Sequence, residues 1–240
     1  KFFEPARNLF DNVKLRASIG TLGNQVTNGN FDYLGYLDNE TLSYVMGGKV
    51  ISGLKAPTLA STNITWEKVT TTNFGLDIAM LNNRLNASFD YYIRNTNDMV
   101  ISKTYPAVLG SSGGKENLAN MRTNGWELSV SWNDKINNVG GSPLMYSIGV
   151  GLADSYSTIT KFDNPEGALN NYYEGKRIGE IWGYVTDGFI QDEAEAQRMA
   201  TILGDISTTW KVGDIRYKDL DGVEGITSAK TIYNTGDQKV

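Results

Sequence analysis

The chain has 240 residues, 40% of them apolar, with 26 glycines, 13 tyrosines and a formal net charge of −5. It contains neither cysteine nor histidine, which excludes disulfides, thiolate chemistry, Ser-His-Asp triads and nearly every zinc site. The 22 Lys and Arg residues are dispersed, so nucleic acid is not expected as a partner, and no run of about 20 apolar residues is present to form a transmembrane helix.

From about residue 12 to 21 the chain alternates strictly, with Val13, Leu15, Ala17 and Ile19 apolar and Lys14, Arg16, Ser18 and Gly20 between them. Alternation of period two predicts a strand with one greasy and one wet face. A second strand is expected over about 67–81, with Phe74, Leu76, Ile78 and Met80 opposite Asn73, Gly75, Asp77 and Ala79. Asn82-Asn83 then suits a two-residue hairpin turn, because Asn tolerates positive φ. The third strand runs from Arg84 to about Ile101 and sets Leu85, Ala87, Phe89, Tyr91 and Ile93 against Asn86, Ser88, Asp90, Tyr92 and Arg94. The fourth, about 121–132, sets Trp126, Leu128, Val130 and Trp132 against Glu127, Ser129 and Ser131. After a turn over 133–143, the fifth covers about 144–154, with Tyr146, Ile148, Val150 and Leu152 opposite Ser147, Gly149, Gly151 and Ala153. Residues 192–203, DEAEAQRMATIL, predict a short helix whose first turn carries acids at the positive end of the dipole.

Each alternating stretch approaches the 9–11 residues that cross a membrane when a strand is tilted. The connections run long (22–66), short (82–83), long (102–120), intermediate (133–143) and very long (155–240). Bacterial barrels put short turns on the periplasmic side and long loops outside, and that parity places Trp132 and Tyr146 beside a periplasmic turn, where an aromatic girdle belongs. The expectation is an all-β, antiparallel transmembrane β-barrel fragment of about five strands with long extracellular loops. Residues 1–154 hold the strands and two external loops, and 155–240 a long extracellular segment of the same domain. A soluble β-sandwich also alternates, but its strands are shorter and loops of this length are uncommon in it. The opening Lys1-Phe2-Phe3 and the closing Gln238-Lys239-Val240 read as an internal fragment of a longer polypeptide.

Several ordered motifs resemble those of SusC/RagA-like TonB-dependent transporters. Residues 13–25, VKLRASIGTLGNQ, resemble the "LRASYGxxGN" segment. Trp66-Glu67 with Asn73-Phe74-Gly75-Leu76-Asp77 is similar to "WExxxxxNxGLD", and Asn83-Arg84-Leu85 with Asp90-Tyr91-Tyr92-Ile93-Arg94-Asn95-Thr96-Asn97-Asp98 to "NRLxxxxDYYxRxTxD". Asn124-Gly125-Trp126-Glu127 resembles "NxGxE", residues 175–188 resemble "GxPIGxxWGYxTDGxF", and residues 213–219 match "PGDIxYxDxNGDG" in part. The resemblance implies a barrel of about twenty-two strands with an N-terminal plug that contacts TonB. It further implies an outer-membrane lipid environment, a SusD-like surface lipoprotein as lid, and oligosaccharides or peptides as substrates. It implies no enzymatic activity. Five strands with open edges cannot persist in lipid, so the remaining strands are expected elsewhere in the polypeptide. The competing function from another class is a secreted β-sandwich module for glycan binding or adhesion.

Two constellations in the last third are candidate sites. Tyr172, Tyr173, Trp182 and Tyr184 either stack on sugar and anchor a partner or fold the loop onto the barrel rim. Asp219, Asp221 and Glu224 make either a Ca2+ site or a solvated acidic turn, since Val223 stands where a third carboxylate of the pattern would be. Asp187 and Asp192 are two carboxylates in one acidic loop, which does not define a glycoside hydrolase.

Overall fold

The computed structural model describes residues 9–25, 37, 39–55, 64–102, 108, 114–202, 209–222 and 225–240. It divides into two compact units, Lys1–Lys161 and Phe162–Val240.

The first unit holds β1 (Phe10–Asn24), β2 (Asn39–Met46), β3 (Lys49–Leu54), β4 (Glu67–Met80), β5 (Leu85–Ser102), β6 (Lys115–Val139) and β7 (Ser142–Lys161). Five of these form one antiparallel sheet in the order β1-β4-β5-β6-β7, the five expected strands in chain order. The register lines the alternating residues up in rows. Leu15, Leu76, Phe89, Leu128 and Leu152 stand directly opposite one another across all five strands, as do Val13, Ile78, Ala87, Val130 and Val150. The neighbouring rows are Arg16, Gly75, Asp90, Glu127, Ala153 and Lys14, Asp77, Ser88, Ser129, Gly151. One face is therefore apolar and the other polar.

The apolar face is bare. Leu15 is 81% exposed and Ile148 61%, and among the described residues no second sheet covers them. A β-sandwich would bury this face against its partner sheet; a contiguous exposed apolar face of this extent fits hydrocarbon. Its height agrees. The nine residues from Leu144 to Leu152 on β7 rise about 30 Å along the strand, or about 22 Å along the membrane normal at a 45° tilt, close to the ~25 Å apolar band of outer-membrane barrels.

Element ends differ from the sequence expectation at several places, among them the start of β6, at Lys115 rather than about 121. The first hairpin turns over four residues, Leu81–Arg84, with Leu81, Asn82 and Asn83 all left-handed at φ 56°, 57° and 60°. Asp11 Oδ2 accepts the Asn83 N–H at 2.8 Å and Asn86 Nδ2 donates to the Asn83 carbonyl at 3.0 Å, which holds a turn that Leu81 disfavours. The second turn shrinks to Gly140-Gly141, at φ 62° and 91°, because two glycines supply the positive φ of a two-residue hairpin. β7 continues to Lys161 through Ser155–Thr160, where the apolar alternation has stopped but β-favouring Tyr156, Thr158, Ile159 and Thr160 keep the chain extended. The first long connection also contains the β2–β3 hairpin, with positive φ at Gly47 and Gly48.

The second unit contains β8 (Gly183–Tyr184), β9 (Thr186–Phe189), α1 (Glu193–Ile202), β10 (Ile215–Tyr217) and β11 (Gln238–Lys239). Its core is Ile190, Ala196, Met199 and Ile226, flanked by Tyr184, Ile202, Trp210 and Tyr217. Asp192 caps α1 by accepting the Glu195 N–H at 2.7 Å, and Glu195 reaches back to the Gln191 N–H at 2.8 Å, a reciprocal arrangement that satisfies donors at the helix start.

Candidate functional site

The polar face of the sheet is built around Arg16. Its Nε and Nη2 donate to Asp77 at 2.9 Å each, and its Nη1 and Nη2 donate to Asp90 at 2.9 and 2.8 Å. Ser88 donates to Asp77 at 2.9 Å. One guanidinium thus bridges β1, β4 and β5 through two bidentate pairs, the strong geometry for Arg and carboxylate. Arg16 lies across Gly75, where a Cβ would stand 2.6 Å from its Cζ. Tyr92 lies across Gly125 in the same way, so that any Cβ there would collide with its ring, and the Arg94 guanidinium sits 5.6 Å from the Tyr92 centroid.

At the long-loop end the ladder is replaced by side chains. β5 loses register between Thr96 and Val100, with Asp98 at φ 58°. The buried Glu67 fills the gap: its Oε1 accepts the Val100 N–H at 3.0 Å and its Oε2 accepts from Asn24 Nδ2 at 3.1 Å. Asn120 Oδ1 takes the Asp98 N–H at 3.0 Å, while Asn117 clasps Thr65 through its N–H and carbonyl at 2.8 and 2.9 Å. The Trp66 ring covers Gly23, where a Cβ would come within 2.8 Å of Cε3. Bulges beside functional rims are designed features of sheets, and here four polar side chains hold one.

The candidate aromatics of the second unit separate into two groups. Tyr173 is buried and donates its hydroxyl to Glu180, which also accepts from Trp182 Nε1 at 2.7 Å and from the Arg177 N–H at 3.2 Å. Burial, reinforced by the Glu180 carboxylate, pushes the Tyr173 phenol up to about 12. Burial pushes the Glu180 carboxyl upward, but its three donors outweigh this and hold it below the usual range. Tyr172 is about half exposed and meets Phe162 edge-on at 5.5 Å, with Lys176 Nζ 5.9 Å from its ring. Tyr184 instead packs on Tyr217 at 5.4 Å, against the core. Three of the four aromatics thus help fold the unit, and Tyr172 is left about half exposed. Beside it in sequence, Ile178 and Ile181 are 49% and 80% exposed.

In the acidic turn, Glu224 lies outside the described residues. Asp219 and Asp221 come together with Asp237, their carboxylate oxygens within 4.8 Å of one another. Asp237 is fully buried and accepts the Leu220 and Thr227 N–H groups at 2.6 and 2.7 Å and the Asp221 N–H at 3.4 Å. Burial raises its carboxyl, and these backbone donors outweigh that and hold it below the ordinary carboxylate range. Asp219 Oδ1 accepts the Gly222 N–H at 2.7 Å. Backbone donors thus already engage oxygens of Asp219 and Asp237, and calcium takes six to eight oxygens in all. Asp187 pairs with Arg216 at 3.5 Å, and Asp192 is the α1 cap, so both acids serve the local fold.

A family model described as "TonB dependent receptor-like, beta-barrel" matches residues 6–237. TonB-dependent receptor P3 of Formosa agariphila is 26% identical over 237 residues, covering 92% of this chain and 22% of that protein. TonB-dependent receptor SusC of Bacteroides thetaiotaomicron is 32% identical over 127 residues, covering 52% of this chain and 13% of its own length. Among solved structures, the RagAB peptide importer in the open-open state superimposes with TM-score 0.60 at 22% identity, over 97% of this chain and 23% of that one. The RagAB peptide transporter does so with TM-score 0.57 at 24% identity, over 80% and 21%. The chain spans about a fifth of the length of TonB-dependent receptor P3 and of the RagAB chains. These relatives are receptors and transporters rather than enzymes.

Proposed function

Because the chain belongs to the TonB dependent receptor-like β-barrel family, a family of outer-membrane barrels, we propose that it supplies late strands and an external segment of a nutrient importer. The observation that carries this reading is the two-faced sheet: an exposed apolar face backed by an Arg16-centred polar wall. Short turns at Leu81–Arg84 and Gly140-Gly141 face the periplasm in this reading, and the opposite strand ends at Asn24, Glu67, Ser102, Lys115 and Lys161 face outward. The cargo is an oligosaccharide or a peptide. A SusD-like surface lipoprotein captures it, and TonB energises the barrel through a part of the polypeptide outside this chain. Tyr172, with Ile178 and Ile181, is the surface offered to that lipoprotein or to cargo.

The test removes Phe162–Val240 from the full-length transporter. Membrane insertion, read by heat-modifiable gel mobility, is expected to persist, while lipoprotein capture and uptake of labelled oligosaccharide or oligopeptide are expected to be lost. Normal capture and uptake would refute the role of the segment.

A further inference from the structure

We propose that the rim just above the apolar band, on the lipid-facing side of β4–β7, is a docking belt for phosphate-bearing headgroups of the outer leaflet. This rests on the outer-membrane orientation proposed above. On that face the apolar rows end, and two polar rows follow. One is Thr21, Thr70, Asn95, Arg122 and Thr158, directly opposite one another on β1, β4, β5, β6 and β7. The next holds Lys68 opposite Asn97, and Asn120 opposite Lys161. Neither row contains a carboxylate. Of the acids nearby, Asp154 lies opposite Trp126, two rows below Thr158, and Asp134 lies far below it, opposite Tyr146; Asp98 stands exposed in the bulge beside Asn97, outside both rows, and Glu67 at the same level is buried and satisfied.

The cations are placed to receive an anion. Lys68, Arg122 and Lys161 are exposed, and among the described residues neither Lys68 nor Lys161 has a hydrogen-bond or ion-pair partner. Arg122 spends only Nε, on Asn95 Oδ1 at 2.9 Å, which fixes its plane and leaves both Nη groups for a forked contact with phosphate. β4 and β6 are two strand spacings apart, about 10 Å, and β7 is the neighbour of β6. The three charges therefore span the size of one headgroup with two phosphates, and Thr and Asn side chains between them add donors. Basic residues at the headgroup level gain from anionic lipid, whereas the same residues a few ångströms lower would be penalised. Charge, level and sidedness thus agree on one occupant.

The test uses the full-length transporter in detergent with two probes: bis-phosphorylated lipid A and the same glycolipid with both phosphates removed. Retention is read by native mass spectrometry for the wild type and for the K68Q/R122Q/K161Q variant, with thermal melting as a check that the variant folds. The wild type is expected to retain the phosphorylated probe preferentially, and the variant to bind it about a hundredfold more weakly. Lys14→Gln, on the opposite face, is expected to change nothing. Equal retention of the two probes, or wild-type retention by the triple variant, would overturn the proposal. Orientation is tested separately by impermeant maleimide labelling of Ser43→Cys and Asn137→Cys in whole cells. Labelling of Asn137→Cys alone would refute the orientation itself, whatever the lipid result.

Discussion

Arginine placed at Val130 and at the adjacent Ser129 tests the sidedness of the sheet with one residue between success and failure. Val130 stands between Ala87 and Val150 in an apolar row and near the middle of the apolar stretch of β6. A guanidinium there faces hydrocarbon, at a cost of about 2–4 kcal/mol for a midplane position in a barrel. Ser129 points the other way, opposite Ser88 and Gly151. A side chain at Gly151 would meet nothing within 4 Å, so an arginine at 129 has room to extend. Glu127 lies two residues away on the same strand, Asp77 stands in the same row beyond Ser88, and Asp90 belongs to the neighbouring row. The expected cost at Ser129 is therefore below about 1 kcal/mol. Reversible urea unfolding of the full-length protein in lipid vesicles measures both. Equal penalties, or a larger one at Ser129, would refute the assignment of faces.

Glu67→Gln keeps an acceptor for the Val100 N–H but sets an amide donor against Asn24, so exchange of the Val100 amide is expected to rise about tenfold relative to that of Phe89; an unchanged ratio in hydrogen exchange would show that Glu67 does not hold the bulge. Tyr173 is expected to ionise near pH 12, above the value of about 10 for an unfolded tyrosine. The stability it contributes is then complete below about pH 10 and lost as the pH climbs through 12, and Tyr173→Phe should flatten that loss in pH-dependent melts monitored by tyrosinate absorbance. Asp237→Asn leaves at least one of three backbone donors without its acceptor, for a loss of about 1–3 kcal/mol by calorimetry, while replacing calcium with a chelator is expected to leave the wild-type melting temperature unchanged; a chelator-induced drop would instead establish a metal site.

The strands were legible because alternation of period two is a direct imprint of a sheet with different solvents on its two faces, as in Leu15-Arg16-Ala17 or Leu128-Ser129-Val130. The β2–β3 hairpin lies inside a connection that the sequence reads as a loop, although Gly47-Gly48, flanked by Met46 and Val50, carries its signal; hydrophobicity there does not alternate, since Tyr44, Val45 and Met46 run consecutively and all are exposed. The extension of β7 past Asp154 was hidden for a related reason: hydrogen bonding to β6 persists where the change of solvent that generates alternation has ended. Of the aromatic candidates, sequence showed their density but not their direction. Tyr173 and Trp182 turn inward because Glu180, which falls at an unspecified position of the 175–188 motif, offers one carboxylate to both. Asp237 was invisible as a partner of Asp219 and Asp221 because its 16-residue separation from Asp221 is closed only by the folded loop.

The glycines of the polar face show why motif and register must be read together. In sequence, Gly75 and Gly125 look like weak points of strands, since glycine lowers strand stability and packs nothing. In the sheet each stands directly opposite a large polar residue of the preceding neighbour, Arg16 for Gly75 and Tyr92 for Gly125, and that side chain lies down across it. The missing Cβ is the space the large residue occupies. Arg16 can reach both Asp77 and Asp90 only by crossing β4 at Gly75, so a side chain at 75 would lift the guanidinium from two carboxylates at once and leave like charges facing each other in neighbouring rows. The same logic makes the matching spacing of "LRAS" and "GLD" one physical unit rather than two motifs: the arginine supplies the bridge, the aspartate its anchor, and the glycine the passage between them.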